Sequence, residues 1–283
     1  MISDPAWDKV LRKALAEDIG AGDITSEAVI PPEARCRAEV IAKQDLIVAG
    51  LPQTAPAFTL LDPGAEVRIL CAEGNRAKRF EALAEIVGNA RALLATERTF
   101  LNILQRLCGI ATFTSRFVAA VEGTTAQIAD TRKTTPGLRM MEKYAVRMGG
   151  GVNHRLGLYD HILIKDNHIK IAGGVTQAVV AARAGAGFLH RIEVEVSNLA
   201  ECEMALSAGA DIIMLDNFAA SDIIAAVDLI GGRALVEVSG GVTLERVKEI
   251  ALAGADIISV GALTHSAPAA DISLEILGII GYI

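Results

Sequence analysis

Ile212-Ile213-Met214-Leu215-Asp216-Asn217, Val238-Ser239-Gly240-Gly241 and Ile257-Ile258-Ser259-Val260-Gly261 share one form: a short apolar run that stops at a polar residue or a glycine. Val194-Glu195 closes an earlier run in the same way. The four run ends, Glu195, Asp216, Ser239 and Gly261, are 21, 23 and 22 residues apart. A strand, a loop and a helix of ordinary length together occupy about that many residues, so the spacing is that of a repeated βα unit. Such a repeat builds a parallel α/β barrel, whose active site sits at the carboxyl ends of its strands. Each of the four residues alone reads as an ordinary strand-end polar group or turn glycine. Four in phase predict one site shared by Glu195, Asp216, Ser239 and Gly261.

Too few units follow Gln127 for a regular eight-fold barrel, so an irregular, incomplete parallel barrel is expected over 111–283. The first 110 residues then form a separate domain of mixed helix and strand, with the tail 268–283 expected to pack on it. Within that domain, 4–19 reads as an amphipathic helix with Val10, Leu11, Leu15 and Ile19 on one side. Residues 20–25 read as a turn, 37–48 and 66–70 as strands, and 79–122 as a helical tract broken near Gly109.

Composition narrows the class. The chain has 283 residues, 52% of them hydrophobic, and a mean hydropathy of +0.39, yet no unbroken apolar run approaches the roughly 18–20 residues of a membrane span. Many short apolar runs account for the high value, as in parallel strands covered on both faces. A net charge of −7 argues against a nucleic-acid partner. Cys36, Cys71, Cys108 and Cys202 lie far apart, with no C-x-x-C pair, so neither a zinc site nor a disulfide framework is indicated. Residues 1–7 carry no apolar signal core, and the expected compartment is the reducing cytoplasm.

Charge is unevenly placed. Between Thr131 and Lys165 seven cations (Arg132, Lys133, Arg139, Lys143, Arg147, Arg155, Lys165) meet two acids, whereas Arg191 to Asp256 holds twelve acids and four bases. A basic arc suits a polyanion, and an acidic arc suits a divalent metal or a cationic intermediate. Three strings focus the basic arc: Thr131-Arg132-Lys133-Thr134-Thr135-Pro136-Gly137, Gly149-Gly150-Gly151-Val152-Asn153-His154-Arg155 and Leu163-Ile164-Lys165-Asp166-Asn167-His168. Arginine's planar fork matches carboxylate or phosphate. Lys143 and Arg147 fit a solvated helix face, as does Arg139, and His161, His168 and His190 fit structural roles. Lys165 among cations also fits a Schiff-base nucleophile of a barrel lyase.

These strings resemble those of the quinolinate phosphoribosyltransferases, of the type II phosphoribosyltransferase family. The resemblance includes Glu17-Asp18-Ile19-Gly20 with Gly22-Asp23-Ile24-Thr25, Glu97-Arg98-Thr99 with Leu101-Asn102, Leu215-Asp216-Asn217, and the stretches 130–137, 142–157, 163–169, 192–196, 237–241 and 259–266, in family order along nearly the whole chain. It implies an α/β fold with an N-terminal α/β sandwich and an irregular barrel. It further implies a homodimer, with higher assembly left open, magnesium bound with phosphoribosyl pyrophosphate, and no organic cofactor. The implied reaction joins quinolinate to the phosphoribosyl group with loss of carbon dioxide. By the same resemblance Arg132, Lys133, His154, Arg155 and Lys165 meet the dicarboxylate and the phosphoribosyl donor. Arg98 reaches the partner's site. Glu195 and Asp216 flank the ribose and hold magnesium-pyrophosphate, and Ser239, Gly240, Gly241 and Gly261 offer N–H groups to the 5′-phosphate. Lys133, Lys165, Glu195 and Asp216 are the expected catalytic set. Two relatives in kind stay open: a phosphoribosyltransferase-like protein of molybdenum-transport operons, disfavoured by the intact Lys165-Asp166-Asn167-His168, and a non-catalytic regulator that binds the donor.

Overall fold

The computed structural model describes residues 5–282, so Asp4, included in the expected first helix, lies outside the described residues. The chain divides into two compact units: Met1–Ser115 with Thr134–Gly150 and Ser266–Ile283, and Arg116–Lys133 with Gly151–His265.

The first unit is built on an antiparallel sheet of four strands in the order Ile272–Tyr282, Ala34–Ala42, Ala82–Asn89, Glu66–Ile69. Burial alternates along Ala34–Ala42, so every second side chain enters the core. The helix Pro5–Ile19 buries Trp7, Leu11 and Leu15, one face of a 3.6-residue period. Asp23 then caps the helix Ile24–Val29, accepting hydrogen bonds from Thr25 N and Ser26 N, so the expected turn ends at Asp23. The expected strand over 37–48 divides into Ala34–Ala42 and a short Leu46–Ile47 paired with Arg76–Ala77.

Two expectations fail here for tertiary reasons. The stretch 79–122 is not all helix: Ala82–Asn89 is a strand held between two others, and its alternate buried positions override the helix preference of its alanines. Nor does Gly109 interrupt the helical part, because Ala90–Ala120 is one continuous helix. Gly109 marks a close approach instead. A Cβ there would collide with the Pro268 carbonyl oxygen, beside Ala270 N, which bonds Gln105 O at 2.8 Å. The helix Arg139–Met148, expected within the barrel, groups with the first unit. Its buried Glu142 accepts from Arg106 Nε (2.7 Å) and Thr135 N (3.0 Å), and Tyr144 donates to Glu73 (2.7 Å).

The second unit is a six-stranded parallel sheet in the order Gln127–Ala129, Ile257–Ser259, Leu235–Ser239, Ile212–Asp216, Ile192–Val196, Ile162–Ile164. Read from Ile162–Ile164 to Ile257–Ser259, neighbours in space are neighbours in sequence, as βα repetition requires. The two end strands are not hydrogen-bonded to each other, and Val152 bridges to Ala129 at one of them. This is the incomplete barrel expected from the period. Ser239 is in register with Asp216, while Glu195 and Glu237 are both in register with Met214, two residues lower.

Candidate active site

The carboxyl ends of these strands enclose a cavity of about 680 Å³, within the size range of small-molecule sites. Of the residues expected at a site, Arg132, Lys133, His154, Arg155, Lys165, Glu195, Asp216, Ser239, Gly240, Gly241 and Gly261 all line it. Arg98 is not among its lining residues; it is exposed on the helix Ala90–Ala120. Arg139, Lys143, Arg147 and His168 are not among them either.

Each group is fixed by its element. Lys165 follows the strand Ile162–Ile164 and begins the helix Asp166–Ala172, with its Nζ 2.7 Å from Glu195 Oε2 on the neighbouring strand. Asp216 ends its strand, and Asn217 donates to Asp216 Oδ2 (2.9 Å) from a left-handed backbone at φ 58°. Asn217 N also bonds Ser239 O at 3.0 Å, which ties the two strand ends together. Gly240 has φ 84°, and a Cβ on it would collide with Asn217 Oδ1 and meet Asp216 Oδ1 at 2.8 Å. Here the backbone conformation requires glycine, and a Cβ would also displace the Asn217 side chain. On the opposite edge, Lys133 N bonds Thr131 Oγ1 (3.0 Å) and Lys133 O accepts from Thr264 Oγ1 (2.8 Å). Buried Asp130 accepts from Asn153 Nδ2 (2.6 Å) and His154 N (2.9 Å), locking the loop that presents His154 and Arg155.

Glu193 and Glu237 are fully buried, and His154 Nε2 lies 3.2 Å from Glu193 Oε2 and 3.5 Å from Glu237 Oε1. Burial works against a charge on His154, but the two carboxylates outweigh it and raise its pKa. In the neutral ring the Arg155 amide, donating to His154 Nδ1 at 2.9 Å, leaves the proton on Nε2, toward the acids. A second proton could enter only at Nδ1, by displacing that amide bond. Burial and the neighbouring charge of Arg132 both lower the pKa of Arg155. Among the described residues Arg155 Nε, Glu237 Oε1 and Ser259 Oγ are buried without a hydrogen-bond partner, and all three residues line the cavity. Buried polar atoms are ordinarily satisfied, so three together suit a polar ligand.

Sequence reasoning did not single out Glu193, Glu237 or Ser259. Glu193 stands two before Glu195, and Glu237 two before Ser239, so the period of two along a strand puts each on the inward face beside a residue already singled out. That signal was present in the sequence.

The chain matches the family described as quinolinate phosphoribosyl transferase, C-terminal domain, over residues 110–275, and its N-terminal domain over residues 23–108. It is 44% identical over 268 residues to the probable nicotinate-nucleotide pyrophosphorylase [carboxylating] of Bacillus subtilis, covering 95% of this chain and 92% of that protein. It is 41% identical to the nicotinate-nucleotide pyrophosphorylase [carboxylating] of Mycobacterium leprae, covering 98% of this chain and all of that one. The crystal structure of NadC from Streptococcus pyogenes superposes with a TM-score of 0.91 at 41% identity, covering 96% of this chain and 97% of that one.

Proposed function

The chain belongs to the quinolinate phosphoribosyl transferase family. From that premise and the cavity we infer that it transfers the phosphoribosyl group of phosphoribosyl pyrophosphate to quinolinate, giving nicotinate mononucleotide, pyrophosphate and carbon dioxide, a step of NAD biosynthesis. One observation carries the reading: Arg132, Lys133, Arg155 and Lys165 line the same cavity as Glu195 and Asp216. A dicarboxylate and a pyrophosphate need the cations. A ribosyl centre that becomes positive as its leaving group departs needs the acids.

The order of steps follows from the chemistry. The pyridine nitrogen forms a bond to ribose C1 as the bond from C1 to pyrophosphate breaks. The nitrogen is then cationic. When the C2–carboxylate bond breaks, the electron pair left on C2 is stabilised by that adjacent charge, and a proton is taken up at C2. Ribosylation therefore precedes decarboxylation. In this reading Arg132, His154 and Arg155 hold the dicarboxylate end of the site, and Lys133 and Lys165 neutralise the donor's phosphates. Glu195 and Asp216 lie by the ribose, and Ser239, Gly240, Gly241 and Gly261 offer backbone N–H groups to the 5′-phosphate.

Magnesium would fit the donor set, since Glu195 and Asp216, which would hold it, offer hard carboxylate oxygens. Bound there, it supplies neutralisation of the leaving pyrophosphate. The chemistry calls for no organic cofactor. Arg98, exposed on its helix, supports a homodimer in which it reaches the second copy's site. The four cysteines are free and buried, which supports a reducing cytoplasm. Among the described residues no helix is long and apolar enough to cross a membrane.

The test is to mix the protein with quinolinate, phosphoribosyl pyrophosphate and magnesium, and to follow nicotinate mononucleotide and carbon dioxide together. Nicotinate replaces quinolinate in a parallel reaction. Equal yields of both products from quinolinate alone are expected. No product while the donor still binds overturns the reading in favour of a donor-binding regulator.

A further inference from the structure

Glu193 has no part in the assignments above. It is fully buried on the strand Ile192–Val196, two residues from Glu195. Two histidines converge on its carboxylate: His161 Nε2 lies 2.9 Å, and His154 Nε2 3.2 Å, from Oε2. Each histidine in turn holds one end of Arg155. The Arg155 amide donates to His154 Nδ1 at 2.9 Å, and its guanidinium NH1 donates to the His161 carbonyl oxygen at 3.2 Å. The backbone and the head of one cavity cation are thus tied to two residues whose side chains share one carboxylate.

We propose that Glu193 is a positioning residue: through His154 and His161 it fixes the Arg155 guanidinium in the orientation that receives a ligand carboxylate. This rests on the dicarboxylate reading of the cavity. The residue type follows from the task. Two imidazoles that converge on one oxygen, Oε2, suit a charged acceptor with no competing donor, which a carboxylate is and a carboxamide is not. Arg155 also needs the charge, because burial and Arg132 both act against its cation and Glu193 acts for it. The same trio has the proximity of a metal site, with ligand atoms within 4.8 Å of one another. The amide bond at His154 Nδ1 argues against one, since it leaves the proton on Nε2, and a protonated nitrogen does not ligate. Positioning of this kind matters because a displacement of about 1 Å at a reacting or binding group costs on the order of 100-fold.

Glu193→Gln and His161→Ala test it, each compared with the unaltered protein by calorimetric titration of pyridine-2,3-dicarboxylate and, separately, of phosphoribosyl pyrophosphate with magnesium. Each variant is expected to weaken dicarboxylate binding on the order of tenfold while donor binding stays within about twofold. Nitrogen-15 spectra of histidine-labelled protein followed against pH should show the His154 pKa lower in Glu193→Gln than in the unaltered protein, because Glu193 helps to raise it. If Glu193→Gln does not fold, His161→Ala decides alone. Unchanged dicarboxylate binding, or equal weakening of both ligands, overturns the proposal while leaving the function intact. An unaltered protein that fails to bind the dicarboxylate at all overturns both.

Discussion

The two larger sheets of this chain bury opposite things. In the antiparallel sheet, Ala38, Val40 and Ala42 point into a core completed by Leu83, Ile86, Leu93, Phe58 and Phe100, all apolar. In the parallel sheet, the inward row includes Glu193 and Glu237, and Asp130 lies buried beside it. Buried carboxylates are poor stabilisers compared with apolar residues of similar size, because desolvation offsets most of what pairing gains. Their presence in one sheet and absence from the other separates a core built for stability from one built for a site.

Mutation can test that contrast directly. The largest effect on stability is expected from Phe100→Ala. Phe100 is 1% exposed and packs against Phe58 with ring centroids 4.9 Å apart. Its loss should cost about 3–5 kcal/mol in urea unfolding and leave turnover per folded molecule unchanged at low temperature. Asp216→Asn should do the reverse, lowering kcat/KM on the order of 100- to 1000-fold with little change in melting temperature. If Asp216→Asn destabilises as much as Phe100→Ala does, the division between the sheets fails.

Two smaller changes refine it. Alanine ordinarily favours a helix over glycine by about 1 kcal/mol, yet Gly109→Ala should destabilise by about 1–3 kcal/mol, because the new Cβ meets the Pro268 carbonyl. A rise in stability would show that the 266–283 segment shifts freely. The last change concerns pH and is the most modest. Hydrogen bonds from the Ser26 hydroxyl and amide hold the Asp23 pKa below its ordinary value, against a minor opposing effect of desolvation. A depressed carboxylate contributes stability that is present above its unfolded pKa of about 3.9 and lost as pH falls through the folded value. Asp23→Asn keeps one capping oxygen but loses the charge and the second oxygen that the Ser26 hydroxyl meets, so it should melt below the unaltered protein near neutrality and converge with it as pH falls.

Legibility differed between the two units in the same way. The barrel was readable because its units repeat: Glu195, Asp216, Ser239 and Gly261 stood at one period, and all four line the cavity. The basic strings were readable because arginine and lysine beside glycine and strand ends have few other uses. The sandwich lacks repetition, and its strand Ala82–Asn89 carries an alanine-rich sequence that local preference assigns to helix. Only pairing with strands distant in sequence makes it extended.

The amino-acid order was thus enough to set the class of fold, the cavity's basic and acidic groups and their place at strand ends, because periodicity and local charge are properties of neighbours along the chain. Three features depended on the folded arrangement. The helix Arg139–Met148 joins the first unit through buried Glu142. One helix runs on through Gly109, where another segment passes too close for a side chain. His154 and His161 come together on the Glu193 carboxylate. Each depends on contacts between residues far apart in sequence, whose energies no local pattern records.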